Sequence, residues 1–448
     1  MTAVDERAEL ADLDARRREW VAEAYRQISL DRLRELVVGL VDVPSATGDE
    51  GPLAAHIADT LTASGIRAEL QPLDDRQANA YGVVPGSGTG PDLLLYAPID
   101  SLTTGTAAED LPWIGPVLRP DMQPRARVHG DLVVGLAASN PKGHAACVLA
   151  AAEAIVRAGL PLTGDLVVAF GAGGMPTNAL PGSARRNTGQ GVGCSFLLEQ
   201  GVWADFAVIA KPGWTISWEE VGLAWFEVIV HGTHTYVGSR HRLPYRNAIA
   251  DAGEVAARLE RWFVEYAKRH TDGLVAPQGI VSSIEGGWPR MAAVTPAACR
   301  LRVDLRLSPR TTPMQAKREF AAALEQIRAD LPELRVSHRM VLAIPGTATA
   351  PESWVCRSAI AAWEAAEHRP HEPILDTSGA TDANILRGRG IPTARVGMPK
   401  ITDAQFPVDF AMGMNAVDVR DMRQLTRHLV RVAVDTLTRT RSEVGLSS

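Results

Sequence analysis

Apolar residues recur at two spacings along the 448-residue chain, and each spacing predicts one kind of element. Positions three or four apart, as in Leu33, Leu36 and Leu40, predict amphipathic helices, whereas short unbroken apolar runs predict buried strands. In the first half, the predicted helices are 13–43, 51–65 and 143–158, and the predicted strands are 93–99, 165–170 and 204–210. This alternation favours a mostly parallel sheet with helices on both faces.

The pattern changes near Glu220, where apolar and polar residues begin to alternate, as in an antiparallel sheet with one open face. The predicted order is strand 223–232, helix 246–269, strands 279–287 and 299–307, helix 312–330 and strand 334–342. This β-α-β-β-α-β order is ferredoxin-like. Beyond Pro345 the first pattern returns, with helix 352–366, strand 392–397 and helix 419–439. We therefore predict an α/β domain formed by 1–219 and 343–448, with a smaller α+β domain, 220–342, inserted into it.

Composition excludes several classes of partner. The net charge of −6 is spread over mixed signs without a basic stripe, so we expect no nucleic acid. No stretch approaches the roughly 20 apolar residues that span a membrane, and the N-terminal residues lack the apolar core of a signal peptide. The four cysteines lie far apart without a CxxC pair, which is typical of reduced, buried thiols. We expect a cytoplasmic protein without a membrane partner.

Eight segments match, in order, the motifs of one peptidase family. They are PSATGDEG, LLLYAPIDS, GLAASNPKGHAA, VVAFGAGGMP, ADFAVIAKP, VIVHGTHTY with RNAI, SGATDA with GIP, and MGMNAVDV. The chain thereby resembles the M20 metallopeptidases and amidohydrolases, which include acetylornithine deacetylase, succinyl-diaminopimelate desuccinylase and carboxypeptidases. The resemblance implies an M20-like fold, an inserted lid domain that also forms a homodimer, and a small-molecule amide or amino-acid-like ligand.

The positions that the resemblance assigns to two zinc ions and the catalytic glutamate carry other residues. They are Pro98, Asn140, Gly174, Met175, Lys211 and Met412. Zinc sites are built from imidazole, thiolate and carboxylate groups, and none of these residues supplies one. We therefore predict no metal ligands and no cofactor.

Polar residues nevertheless persist where the family places its active site. Asp100 occupies the position of an aspartate that orients a metal ligand, and Lys142 keeps the family's Lys-Gly pair. We predict catalytic roles for Asp100, Lys142 and Lys211, with Lys211 polarising a carbonyl or acting as a base or nucleophile of lowered pKa. The alternative is an Asp100–Lys211 ion pair that only fills the space. Predicted substrate-binding residues are Asn140, His234, Thr381 and Asp382.

The lid carries the remaining candidates. Tyr236 lies four residues after Gly232, where the family has a histidine that binds the substrate's oxyanion, and a phenol can donate one hydrogen bond there. We predict a catalytic role for Tyr236 on this basis. His234 is expected on the same strand face as Tyr236. Glu219 and Glu220, at the predicted domain boundary, are expected to be solvated.

Three functions are compatible with these features. The first is a metal-independent enzyme that hydrolyses, transfers or forms an amide bond. The second is a catalytically inactive protein with a binding or regulatory role. The third is a zinc-dependent amidohydrolase whose ligands are not recognised. We favour the first, because polar residues persist at the site, but no residue pattern identifies a substrate.

Overall fold

The computed structural model describes residues 9–111, 113–179, 184–186, 189–401 and 413–447. The chain forms two compact units. The first consists of Met1–Trp218, Thr349–Pro373 and Thr381–Ser448, and the second of Glu219–Ala348 and Ile374–Ala380. The predicted boundaries place Glu219, 343–348 and 374–380 in the larger domain, but these residues belong to the second unit. In the last of these segments, Thr377 exchanges backbone hydrogen bonds with Leu274 and Ala276 at 3.0 and 2.9 Å.

The described residues form strands and helices whose bounds follow in chain order. The strands are β1 (Arg67–Pro72), β2 (Ala78–Val84), β3 (Leu93–Pro98), β4 (Arg127–His129), β5 (Leu132–Val134), β6 (Leu166–Gly171), β7 (Phe206–Ala210), β8 (Glu219–Glu220), β9 (Gly222–His231), β10 (Thr235–Tyr236), β11 (Gly279–Gly286), β12 (Val294–Thr295), β13 (Ala298–Leu307), β14 (Arg335–Ile344), β15 (Thr347–Ala348), β16 (Thr393–Val396) and β17 (Ala416–Asp418). The helices are α1 (Ala15–Arg26), α2 (Leu30–Asp42), α3 (Gly51–Ala63), α4 (Ala107–Asp110), α5 (Lys142–Ala158), α6 (Val192–Glu199), α7 (Ala248–His270), α8 (Pro313–Asp330), α9 (Trp354–Glu367), α10 (Ala383–Gly388) and α11 (Val419–Leu437).

The central sheet of the first unit has the strand order β1-β2-β6-β3-β7-β16. Strands β6, β3, β7 and β16 run parallel, and β1 and β2 add an antiparallel edge. The side chains of successive β3 residues pack on opposite faces of this sheet. Leu93 and Leu95 pack with α5 and α11 on one face, and Leu94 and Tyr96 pack with α6 and α10 on the other. The predicted mostly parallel α/β sheet with helices on both faces is confirmed.

The N-terminal segment differs from its prediction. A single helix over 13–43 was expected, but two helices, α1 and α2, form instead. Ser29 causes the break because its side-chain oxygen accepts a hydrogen bond from Arg32 N at 3.4 Å, which makes it the N-cap of α2.

The second unit has an antiparallel sheet of order β11-β13-β9-β14. Helices α7 and α8 cover one face of this sheet, and Phe226 of β9 stacks on Phe320 of α8 with ring centroids 4.1 Å apart. The chain order and strand order are those of the predicted ferredoxin-like domain. None of the helices formed by the described residues is both long enough and apolar enough to cross a membrane.

Candidate active site

The predicted site residues of the first unit follow the carboxyl ends of neighbouring parallel strands. Pro98 ends β3 and Asp100 follows two residues later, while Lys211 follows directly after β7. The loop after β6 contains Gly174 and Met175. Ligands of open α/β sheets bind at this edge, because the chain leaves every parallel strand there. The sheet order, with β3 between β6 and β7, therefore places these three strand ends side by side.

Asp100 is fully buried beneath the loop that follows β6. Its carboxylate accepts hydrogen bonds from the backbone N–H groups of Gly174 and Met175, both at 2.9 Å, and from Thr47 Oγ1 at 2.7 Å. Burial raises the pKa of Asp100 above its ordinary value, while the Thr47 hydrogen bond and the positive charge of Lys211 act in the opposite direction. The loop thus supplies backbone donors at the position where the sequence resemblance expects a glutamate.

A second buried carboxyl group, that of Glu50, was missed by the sequence analysis. Its Oε1 accepts from Gly173 N at 2.8 Å and from Gln77 Nε2 at 3.3 Å. Burial, and then the negative charge of Asp100, raise the pKa of Glu50 to about 8. The Glu50 carboxyl group is therefore mostly protonated at neutral pH. Its signal was available, since Glu50 belongs to the matched turn motif.

Two of the assigned metal-ligand positions are hydrogen-bonded to each other. Lys211 Nζ donates to Asn140 Oδ1 at 3.3 Å, and Lys211 is only 5% exposed. His144 is buried nearby: its Nδ1 donates to Ser139 O at 2.7 Å and its Nε2 accepts from Met398 N at 3.2 Å. Burial lowers the pKa of His144 to about 3, so the ring is neutral and its tautomer is fixed by these two bonds.

The residues at the assigned positions do not fit a dizinc centre. A Cβ atom added to Gly174 would lie 2.4 Å from Pro98 Cβ and 3.1 Å from Asp382 Oδ2, so no side chain fits there without movement of the loop. The remaining described positions present a proline ring, an amide, a thioether and an ammonium group. Met412 lies outside the described residues. Within the described ranges, no group of three or more His, Cys, Asp or Glu side chains is arranged to hold a metal ion.

The other predicted residues of the first unit have separate partners. Lys142 is fully buried, and its Nζ donates to Val43 O at 2.7 Å, just beyond the end of α2. Burial lowers the pKa of Lys142 to about 7. Asp382 precedes α10 and accepts a hydrogen bond from Tyr96 Oη at 2.7 Å, while Thr381 Oγ1 accepts from Ala383 N at 3.2 Å.

The lid candidates belong to the second unit. Strand β9 ends at His231, and Tyr236 lies in the short strand β10, where it pairs with Val294. His234 lies between these strands, so the expected shared strand face is wrong. Tyr236 is 55% exposed, and His234 is also exposed.

The expected solvation of Glu219 and Glu220 is also wrong, because both are buried in β8. Strand β8 pairs with β15, and the Glu219 carboxylate forms an ion pair with Arg310.

A cavity of about 380 Å³ in the first unit adjoins the buried carboxylates. It is lined by Thr47, Leu102, Thr103, Thr104, Glu109, Asp110, Trp113, Ile114, Thr177, Asn178 and Arg185. The hydroxyl group of Thr47 links this cavity to Asp100, since Thr47 lines the cavity and donates to the carboxylate. A neighbouring cavity of about 280 Å³ shares Leu102, Thr103 and Ile114. Together they offer room for a small organic ligand.

No protein-family model matches the sequence. Solved structures of similar fold include human carnosine dipeptidase 1, with a TM-score of 0.69 and 13% identity over 94% of this chain and 99% of that chain. The chain has the fold of the M20 peptidases. The match to the aminopeptidase PepT of Bacillus cereus has a TM-score of 0.63 and 15% identity, and it covers 92% of this M20-like chain and 99% of that chain. The match to the M20 family metallo-carboxypeptidase Sso-CP2 of Sulfolobus solfataricus has a TM-score of 0.64 and 14% identity, and it covers 91% of this chain and 99% of that chain.

Proposed function

We propose that this M20-like chain is an enzyme that acts on the amide bond of a peptide or amino-acid-derived small molecule without a dizinc centre. The observation that carries the proposal is the position of Asp100, which lies beside the charge of Lys211 and is linked through Thr47 to a cavity. The fold supports the substrate class, because solved structures of this fold include proteins named as dipeptidases and carboxypeptidases.

In the proposed reaction, Lys211 and Asn140 act on the substrate carbonyl. The Lys211 ammonium group polarises the carbonyl oxygen and stabilises the negative charge that develops on it. Asp100, whose pKa is raised, exchanges a proton with the substrate through the Thr47 hydroxyl. In hydrolysis a water molecule adds to the carbonyl carbon, and the C–N bond breaks as the leaving amine takes up a proton; in transfer another nucleophile replaces the water, and bond formation is the reverse of hydrolysis. Lys142 and Tyr236 are retained as proposed catalytic residues, and Thr381, Asp382 and His234 as proposed substrate ligands.

A binding or regulatory role is the second candidate, and one observation favours it. Gly174 lies against Pro98, and three consecutive loop amides point at Glu50 and Asp100. These contacts occupy space that a reacting group needs, which is the expected result when a former active site is filled by packing.

Metal content and turnover test the proposal together. The chain is purified without a metal-binding tag from cells supplied with zinc, and zinc is measured by elemental analysis. A mixture of dipeptides and N-acyl amino acids is then assayed for release of primary amines, with and without a chelator. We expect turnover that the chelator does not change and that is lost in Lys211→Met. Lys268→Met, which alters an exposed lysine of α7, is the matched control and is expected to remain active.

The other outcomes separate the alternatives. One or two zinc ions per chain that sustain turnover contradict the metal-free mechanism and restore a zinc amidohydrolase with other ligands. Absence of turnover with every probe, in protein that is folded and binds one of them, supports the binding role instead.

We also propose that the protein is cytoplasmic and forms a homodimer through the smaller unit. The four cysteines are all free and buried, which suits a reducing compartment. Strands β11 and β14 are the edges of the antiparallel sheet, and an edge strand can pair with another chain. Sedimentation equilibrium of the wild-type protein tests the oligomeric state, and cell fractionation tests the location.

A further inference from the structure

The sheet of the second unit has one face that α7 and α8 leave open, and arginines are concentrated there. We call this surface the arginine face, and it consists of Arg300 and Arg302 on β13 and Arg335 and Arg339 on β14. In the sheet, these four arginines pair with Glu227, Ile229 and His231 of β9. The side chains of these three β9 residues point away from the helices, so the arginines share the open face with them. The face belongs to the second unit, whereas the cavities and buried carboxylates described above belong to the first.

The arginines converge on a single carboxylate in the middle strand. Arg302 and Arg339 lie directly opposite Glu227 on either side of β9. Glu227 Oε2 is 2.9 Å from Arg302 Nη1 and 3.1 Å from Arg300 Nε, and its Oε1 is 2.8 Å from Arg339 Nε. The hydrogen bond from Arg339, with the charges of the other arginines, keeps the pKa of Glu227 below its ordinary value. Glu227 is therefore a carboxylate held by three guanidinium groups.

This arrangement leaves positive charge uncompensated at the surface. With Arg306 and its ion-pair partner Asp304 included, five arginines on this side of the sheet stand against the carboxylates of Glu227, Glu285 and Asp304, a local charge of +2 on a protein of net charge −6. A guanidinium group has five N–H donors, and three such groups share the two carboxylate oxygens of Glu227. Their side chains are 45%, 37% and 69% exposed for Arg300, Arg302 and Arg339.

We propose that the arginine face binds an extended acidic peptide segment of a partner protein, with carboxylates at alternate positions. In an extended peptide, side chains two residues apart lie on the same face and about 6.8 Å apart, which is also the spacing of Arg300 and Arg302 along β13. Guanidinium groups suit carboxylates because their paired N–H donors match the two oxygens. Glu227 shows that arginines of this face can share one carboxylate, so an incoming glutamate repeats chemistry that the face contains.

The face suits an acidic peptide better than a nucleic acid. Single-stranded nucleic acid is held largely by bases that stack on aromatic rings. Of the described residues on this face of the four strands, Trp225 is the one Phe, Tyr or Trp side chain, and its Nε1 donates to Asp304 Oδ2 at 2.9 Å.

Fluorescence anisotropy with the full-length chain tests the proposal. The probe is a labelled eight-residue peptide of alternating glutamate and serine, and the matched probe replaces each glutamate with glutamine. At low ionic strength we expect the acidic peptide to bind, and the triple variant Arg300→Gln, Arg302→Gln, Arg339→Gln to weaken binding by at least about tenfold. The control triple variant neutralises three exposed arginines on the helices of the same unit, Arg261, Arg318 and Arg328. We expect it to change the dissociation constant by less than about twofold.

A second variant makes the test independent of any folding defect in the triple variant. Glu227→Gln removes the carboxylate that competes with the peptide, so we expect tighter binding in a protein whose far-ultraviolet circular dichroism is unchanged. Equal weakening by the control triple variant, or equal binding of the glutamine peptide, overturns the proposal. Tighter binding of oligouridylate than of the acidic peptide overturns it in favour of nucleic acid. Dissociation of a dimer by the Arg300, Arg302 and Arg339 substitutions assigns the face to a second copy of the chain instead.

Discussion

At the scale of single residues, Lys211 compensates the buried charge of Asp100. A buried carboxylate is costly unless hydrogen-bond donors and a nearby positive charge stabilise it. Asp100 has three donors, and the Lys211 ammonium group supplies positive charge close by. The Lys211 charge therefore offsets part of the cost of burying the Asp100 carboxylate.

Lys211→Met is expected to destabilise the protein through Asp100. Without the ammonium group, the carboxylate loses a stabilising charge, and we expect the free energy of unfolding at pH 7 to fall by about 1–3 kcal/mol. The double variant Lys211→Met, Asp100→Asn is expected to recover part of this loss, because the neutral amide needs no cation. Urea denaturation measures each difference.

Lys142→Met is the matched control for this coupling. Lys142 is also buried, but its ammonium group donates to Val43 O, and Asp42 is the nearest charge that acts on its pKa. Adding Asp100→Asn to Lys142→Met is therefore expected to give no recovery. Equal recovery in both backgrounds would show that Lys211 and Asp100 do not interact specifically.

The sequence predicted part of this site. Motif order placed Asp100 and Lys211 after neighbouring strands, and the structure puts both at one end of the sheet. The sequence could not show that the Asp100 charge acts on a buried Glu50, because the Gly173 hydrogen bond that holds Glu50 depends on the backbone path of a glycine-rich loop. Nor could it show that the Lys142 side chain reaches the end of α2, since a motif fixes a position in the chain and not the direction of a flexible side chain.

At the scale of elements, the loop after β6 has the greatest influence on the site. Its small residues allow the backbone to approach Pro98 and to point three amides at two carboxyl groups. Helix and strand predictions rest on side-chain periodicity, and such a loop has none, so its path is invisible in the sequence. The break between α1 and α2 was missed for a related reason: the apolar pattern continues through Ser29, and only its capping bond interrupts the helix.

Gly174→Ala is expected to destabilise the loop. The new Cβ atom would lie 2.4 Å from Pro98 Cβ, and relieving that overlap is expected to cost about 1–3 kcal/mol of unfolding free energy. Gly253→Ala is the matched control, because a Cβ there, within α7, meets nothing within 4 Å. That substitution is expected to stabilise the chain by about 0.5–1 kcal/mol. Thermal denaturation compares the two variants, and a stabilising Gly174→Ala would mean that the loop does not lie against Pro98.

At the scale of the whole molecule, the arrangement of helices and sheets could be predicted from the sequence, whereas the burial and pKa values of ionisable groups could not. Unbroken apolar runs and alternating runs distinguish a sheet buried on both faces from one with an open face, so both sheets were predicted before their structure was known. Burial of ionisable groups was not predictable, as Glu50, His144 and His428 show. Their pKa values depend on the surrounding atoms, which no residue pattern specifies.

His428 is expected to make the protein sensitive to acid. It is buried in α11 with its ring 5.7 Å from that of Trp214, and burial lowers its pKa to about 3. Because the unfolded chain binds a proton near pH 6.5 and the folded chain does not, stability falls as the pH drops below 6.5, by about 2 kcal/mol at pH 5. His428→Phe is expected to flatten this decline in urea titrations, whereas His241→Gln, at an exposed loop position, is expected to leave it unchanged. If the unfolding free energies of wild type and His428→Phe fall in parallel as the pH drops, His428 is not the cause of the acid sensitivity.

Glu50 is expected to act in the opposite direction, on the alkaline side. Its folded pKa of about 8 lies above the ordinary value of 4.5, so its contribution to stability is present at low pH and is lost as the pH rises towards 8. Between pH 6.5 and 8 the loss amounts to about 1–2 kcal/mol. Glu50→Gln cannot ionise, so its free energy of unfolding is expected to lack this decline.

The difference between the wild-type and Glu50→Gln curves of unfolding free energy against pH reports Glu50 alone. Other groups that titrate in the same pH range, such as Lys142, whose pKa is lowered to about 7, contribute equally to both curves. Glu254→Gln, on the exposed side of α7, is the matched control and is expected to follow the wild-type curve. If the Glu50→Gln curve also runs parallel to the wild-type curve, Glu50 is ionised in the folded protein. The backbone amides of Gly48 and Gly173 would then stabilise a charged Glu50, a second buried negative charge besides that of Asp100.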